Sequence, residues 1–171
     1  MDLHRLLTTD TVAVNIKATD WRDAVRKVGQ LLVDSGGVEE RYIDGMIRTA
    51  EELGPYIVVA PGIAMPHSRP EDGVIQPCMA LITLSEPIEF GNAENDPVRL
   101  VFAFGAVDNE QHVEALRELA TVLCRFYDEL GGIESLLRAD TTEGLLQAML
   151  EGLPEGEPAA VCKSQGKEVV R

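Results

Sequence analysis

The apolar and polar positions along the chain change period several times, and each change marks an element. From Thr11 to Lys17 the period is two: Val12, Val14 and Ile16 alternate with Thr11, Ala13, Asn15 and Lys17, which predicts a strand. At Thr19-Asp20 the pattern becomes helical. Asp20 is a candidate N-cap, and Asp20 with Asp23 places acid where the helix dipole favours it. Ala24, Val25, Val28, Leu31 and Leu32 then form one stripe, which Gly36-Gly37 ends. A second helix is expected from about Glu39 to Leu53, with Ile43, Met46, Ile47, Ala50 and Leu53 on one face and Gly54-Pro55 as its stop.

Tyr56 to Ala60 reads as a short strand, Met79 to Leu84 as another, and Glu86 to Gly91 as a polar excursion or short edge strand. Val98 to Gly105 is nearly continuous in apolar residues, as a strand buried on both faces should be. The longest helix follows, opened by Asp108 and Asn109 as caps, with Val113, Leu116, Leu119, Ala120 and Leu123 as its stripe up to about Tyr127. Gly131-Gly132 breaks the chain. Ile133 to Arg138 is a short helix, and Asp140 with Glu143 opens a last one through Leu150. Periodicity is lost after Glu151, so residues 1–151 are expected to form one domain and residues 152–171 a disordered tail. Strands interleaved with helices, some of them consecutive, give an α/β or α+β layered domain with a mixed sheet.

Composition narrows the function. The 171 residues suffice for one real core, and no apolar run approaches the ~18 residues that span a bilayer. The amino terminus lacks the layout of a signal peptide. Cys78, Cys124 and Cys162 are odd in number and widely spaced, which suits neither a disulfide framework nor a zinc site and points to a reducing, cytoplasmic setting. Cys78 and Cys124 lie in apolar stripes and read as packing residues. A net charge of −14 argues against nucleic acid and is compatible with a basic protein partner.

The candidate chemistry is in Pro61 to Gly73, where three prolines and two glycines surround His67. Pro66 and Pro70 keep that histidine out of a helix interior or a central strand, while Gly62 permits close approach or a positive φ. Of the three histidines, His112 is the second informative one, because it enters a helix just after an apolar strand. Ligand sites in α/β domains gather where strands end and helices begin. Two imidazoles there could bind a metal, act as an acid/base pair, or form a nucleophile with its anion-stabilising partner. Neither lies in an HxxH or HExxH pattern, which disfavours metal. Ser68 beside His67 lacks the elbow and third member of a serine nucleophile. Neutral imidazole attacks phosphorus well and gives a labile phosphoramidate, so phosphoryl transfer fits better.

The segments Gly54-Pro55-Tyr56, Ala60 to Val74 (with Pro66-His67-Ser68-Arg69-Pro70-Glu71-Asp72-Gly73), Asn95-Asp96-Pro97-Val98 and Asp108 to His112 carry a resemblance. Over about residues 1–151 the chain resembles the enzyme IIA component of the bacterial sugar phosphotransferase system, mannitol/fructose class, and most closely its ascorbate-type branch. The resemblance implies a mixed, mostly parallel sheet flanked by helices and no metal or organic cofactor. It implies His67 as the phosphoryl acceptor, charged by phospho-HPr and discharged onto a cysteine of a separate enzyme IIB, with His112 stabilising the phosphoryl group. Uptake of ascorbate or a related sugar follows, with the membrane permease reached only indirectly. Mannitol-type members carry an arginine three residues before the leucine corresponding to Leu53, and here that place is Ala50. Ser68, Arg69 and Arg48 are therefore the candidates to bind the phosphate. A regulatory phosphohistidine module without a transport role is the alternative, and a metal-dependent hydrolase at His67 and His112 the third reading.

Overall fold

The computed structural model describes residues 3–153. A short helix α1 (Leu3–Leu6) precedes strand β1 (Val12–Ile16) and helices α2 (Trp21–Asp34) and α3 (Arg41–Leu53). Strands β2 (Val58–Ala60), β3 (Ile63–Ala64), β4 (Cys78–Ile88) and β5 (Val98–Gly105) follow, then helices α4 (Asn109–Asp128), α5 (Glu134–Leu137) and α6 (Thr142–Glu151). The five strands form one sheet in the order β1-β4-β5-β3-β2. Pairs β1/β4 and β3/β5 are parallel, while β4/β5 and β2/β3 are antiparallel, so the sheet is mixed as expected.

Alternation along the two long strands divides the core. Met79, Leu81, Leu100, Phe102 and Phe104 face one cluster, with Leu119, Leu123 and Phe126 of α4 and Leu145 and Met149 of α6. Ala80, Ile82, Val101 and Ala103 face the other, with Val25, Val28 and Leu32 of α2 and Tyr42, Met46 and Ile47 of α3. Helices therefore cover both faces of β5, which explains why Val98 to Gly105 is apolar except at the half-buried Arg99.

Capping follows the sequence closely. The Asp20 carboxylate accepts from the Asp23 N–H, and the Asp108 carboxylate from the Gln111 N–H at 2.8 Å. The last helix departs from expectation: Thr141, not Asp140, caps it, accepting from the Gly144 N–H. β4 is also longer than its apolar stretch. It runs on to Ile88, which pairs with Val98, although Ser85, Glu86 and Pro87 are exposed and so carry no apolar signal. Tyr56 belongs to a short 3-10 turn (Pro55–Ile57) before β2 rather than to the strand. On α3, Leu53 is exposed, and Tyr42 takes a buried place beside Met46 and Ile47.

The packed domain reaches slightly beyond Glu151. Leu153 is buried, and the Gly152 backbone lies so close to Phe126 that an added Cβ would stand 2.2 Å from its ring. The remainder of the expected tail, residues 154–171, lies outside the described residues. No helix among the described residues is long and apolar enough to cross a membrane.

Candidate functional site

The stretch around His67 begins as a tight hairpin. β2 and β3 are antiparallel across Pro61-Gly62, and Gly62 takes φ +78°, a conformation that side chains other than glycine rarely adopt. Its N–H donates to the Asn95 carbonyl at 2.9 Å, and its carbonyl accepts from the Arg99 and Leu100 N–H groups. The Asn95 side chain donates in turn to the Val58 carbonyl, and Asp96 accepts from the N–H groups of Phe90, Gly91 and Asn92. The Asn-Asp-Pro-Val segment is thus a brace for the hairpin. From the other side, the Tyr127 hydroxyl donates to the Pro61 carbonyl at 2.7 Å.

His67 follows β3 and is half-buried. Its Nδ1 is 2.7 Å from the Met65 carbonyl. A carbonyl oxygen only accepts, so this contact requires the proton on Nδ1 and leaves the lone pair of the neutral ring on Nε2. The ring stacks on Phe104, near the end of β5, with centroids 5.0 Å apart and planes 24° from parallel. His112, in the first turns of α4, lies edge-on to His67 at 5.0 Å and beside Phe104 at 5.3 Å. The two histidines singled out in the sequence, 45 positions apart by number (112 − 67), therefore share one aromatic floor. Burial lowers the pKa of both imidazoles, because the charged ring loses more hydration than the neutral one. For His67 the Met65 carbonyl works the other way, and His112 lowers it slightly further.

Ser68, Arg69 and Arg48 occupy different situations. Ser68 is buried, its hydroxyl donates to Asp72, and the Thr49 hydroxyl is 3.2 Å from it. Arg48 pairs with the same Asp72 carboxylate at 3.3 Å. The Ser68 hydroxyl is the main reason the Asp72 pKa is lowered. Arg69 is exposed and precedes the short 3-10 turn Pro70–Asp72. Helix α3 approaches this loop at Gly45, where an added Cβ would be 3.1 Å from both Asp72 Cβ and Ser68 Oγ.

Three contributors lack an evident signal in the sequence. The Met65 carbonyl is backbone, Phe104 reads as one more core residue, and Tyr42 lies within an apolar stripe. Tyr42 is fully buried, and its hydroxyl accepts from the Ser68 N–H at 2.9 Å and donates to the Phe104 carbonyl at 2.7 Å. Among the described residues no group of three or more histidine, cysteine, aspartate and glutamate side chains is arranged to hold a metal ion. Cys78 is buried beside Gly105, and burial pushes its thiol up to about 12.

Comparison with known proteins gives a consistent result. Residues 5–151 match the family described as Phosphoenolpyruvate-dependent sugar phosphotransferase system, EIIA 2. The chain is 43% identical over 115 residues to the ascorbate-specific PTS system EIIA component of Shigella flexneri, covering 67% of this chain and 75% of that protein. The solution structure of the mannitol-specific cryptic phosphotransferase enzyme IIA CmtB from Escherichia coli is 31% identical, with TM-score 0.76 over 88% of this chain and 99% of that one. A complex of enzyme IIA and phosphorylated enzyme IIB for mannitol, also from Escherichia coli, contains a chain 26% identical with TM-score 0.72, covering 85% of this chain and 97% of that one.

Proposed function

The chain belongs to the EIIA 2 family of the phosphoenolpyruvate-dependent sugar phosphotransferase system, and from that premise we propose that His67 Nε2 is its phosphoryl acceptor. The observation that carries the assignment is the Nδ1 contact with the Met65 carbonyl. It leaves Nε2 as the only lone pair of the neutral ring, and burial keeps that ring neutral near pH 7.

Nε2 attacks phosphorus as the bond from phosphorus to the donor breaks, and no proton moves. The new P–N bond makes the ring a phosphoimidazolium whose Nδ1–H stays on the Met65 carbonyl. That dipole steadies the positive ring, yet the ring leaves readily when an enzyme IIB cysteine thiolate attacks the same phosphorus. His112, at the start of α4, serves as a donor to the phosphoryl oxygens, where preorganised N–H groups act on developing charge. No cofactor takes part. Arg48 and Arg69 are the nearby cations in sequence for the dianion, and Ser68 contributes through the loop rather than through its committed hydroxyl.

Phospho-HPr is the donor in this reading, the working compartment is the cytoplasm, and the membrane permease is reached through enzyme IIB. The ascorbate-specific relative supports ascorbate or a related sugar as the transported compound. Incubation with phosphoenolpyruvate, enzyme I and HPr should place one acid-labile phosphate on the wild-type protein. His67→Ala should take none while remaining folded, since losing a half-buried, stacked ring and one hydrogen bond costs about 0.5–3 kcal/mol against a usual domain stability of about 5–15 kcal/mol. Undiminished labelling of folded His67→Ala would refute the assignment.

A further inference from the structure

Tyr42 plays no part in the transfer just described, yet its hydroxyl joins the backbone of Ser68, next to His67, to the backbone of Phe104, on which the His67 ring stacks. We propose that Tyr42 is a positioning residue for the phosphoryl acceptor: through one oxygen it locks the residue after His67 to the residue on which His67 stacks. This rests on the reading of His67 as acceptor.

The geometry is direct. The Tyr42 oxygen accepts from the Ser68 N–H at 2.9 Å and gives its single proton to the Phe104 carbonyl at 2.7 Å, with the Ser68 carbonyl farther off at 3.3 Å. Ser68 is covalently next to His67, and the Phe104 ring is the floor beneath His67, 5.0 Å away between centroids. Tyr42 reaches this point from the α2/α3 side of the sheet, whereas Phe104 belongs to the α4/α6 side. The hydroxyl therefore fixes the loop relative to the end of the central strand β5. All three partners are buried, so no water replaces the bonds without rearrangement. Ser68 is held a second time through Asp72 and Thr49. With the backbone on both sides of His67 fixed, its ring has one place, and the 5.0 Å separation from His112 follows.

An acceptor displaced by a fraction of an ångström loses in-line alignment, and misplacements near 1 Å cost on the order of 100-fold in rate. Tyr42→Phe keeps the buried ring and deletes only the hydroxyl. Single-turnover phosphoryl transfer from phospho-HPr should slow by about tenfold. In the same variant the His67 ring, followed by NMR titration, should shift its midpoint upward toward ordinary histidine as the loop loosens and water enters. Thr141→Ala, which likewise deletes one side-chain hydrogen bond but at the start of α6, away from the His67 loop, is the control and should move neither readout. In the wild-type protein, independently of any variant, the Ser68 amide should exchange with solvent far more slowly than the exposed Arg69 amide.

A Tyr42→Phe protein that transfers within twofold of wild type with an unmoved His67 midpoint would overturn the proposal. So would a Ser68 amide that exchanges as fast as that of Arg69, an outcome decisive even if the variant fails to fold. If wild-type protein accepts no phosphate at all, the acceptor reading fails by itself, while the titration and the exchange rate still report on the clamp.

Discussion

The two histidines face each other across 5.0 Å, but the chain holds them in different ways. His67 lies in a stretch with no hydrophobic period and is fixed by hydrogen bonds from every side: Met65 on its ring, Tyr42 after it, Asn95 and Tyr127 on the hairpin before it. His112 is placed by an ordinary capped helix. Its N–H bonds to the Asp108 carbonyl, Asp108 caps the first turn, and no hydrogen bond to a described residue restrains its ring. The contrast suits two roles. An acceptor must present one lone pair in one direction, whereas a stabiliser must turn its N–H toward oxygens that arrive and depart.

The sharpest way to break this comparison is to remove His112, whose ring is held by packing rather than by a hydrogen bond to a described residue. His112→Ala should leave His67 able to accept phosphate, yet slow transfer in both directions by about 100- to 1000-fold, the usual cost of one preorganised donor to a developing anion. Rapid-quench comparison with wild type checks this, and a rate within about threefold would reduce His112 to a residue of the helix start.

A smaller effect separates the two rings from free imidazole. Burial lowers both pKa values, so each neutral ring is favoured in the folded protein. As pH falls below the ordinary histidine value of about 6.5, the unfolded chain takes up protons first. The stability these rings contribute is therefore full above that value and is lost as pH drops through their lower folded values. Between pH 7.5 and 6, phosphoryl acceptance should fall by less than the roughly three-quarters lost by an unperturbed imidazole. A profile following the ordinary imidazole curve would show that the rings are solvated.

The smallest effect sharpens the difference in restraint. Asp108→Ala removes the cap of α4 and should cost about 1 kcal/mol, a fall of roughly 2–4 °C in melting temperature. The His67 ring should keep its titration midpoint, because its own bonds do not pass through that cap. A shifted His67 midpoint in this variant would show that loop and helix are coupled.

The same contrast explains what the sequence made legible. Helix α4 was readable from its cap, a local feature, and so were β1, α2 and β5; its stripe was legible only at Leu119 and Leu123, since Val113 is exposed and the buried face is completed by Ala115, Val122 and Phe126. His67 stood out because prolines and glycines around one histidine are costly unless a fixed loop is needed. The means of fixing it were not readable, since they consist of backbone carbonyls and long-range partners. Nothing local distinguishes Tyr42 from other core residues of α3, and the two-residue strand β3 is too short to show a period. Ser68 was visible as a phosphate donor candidate by adjacency, but the direction of its hydroxyl depends on Asp72, Thr49 and the close approach of Gly45. The continuation of β4 past Leu84 is legible only as a polar excursion or short edge strand from Glu86, because its exposed residues carry no apolar pattern that would join it to Met79 to Leu84.

The central claim, that a fixed Nδ1 makes Nε2 of His67 the acceptor, is tested most directly by NMR of the phosphorylated protein labelled with nitrogen-15. The account predicts that phosphorus couples to Nε2 of His67 while its Nδ1 retains a proton. Coupling to Nδ1 of His67, or to either ring nitrogen of His112, would contradict it.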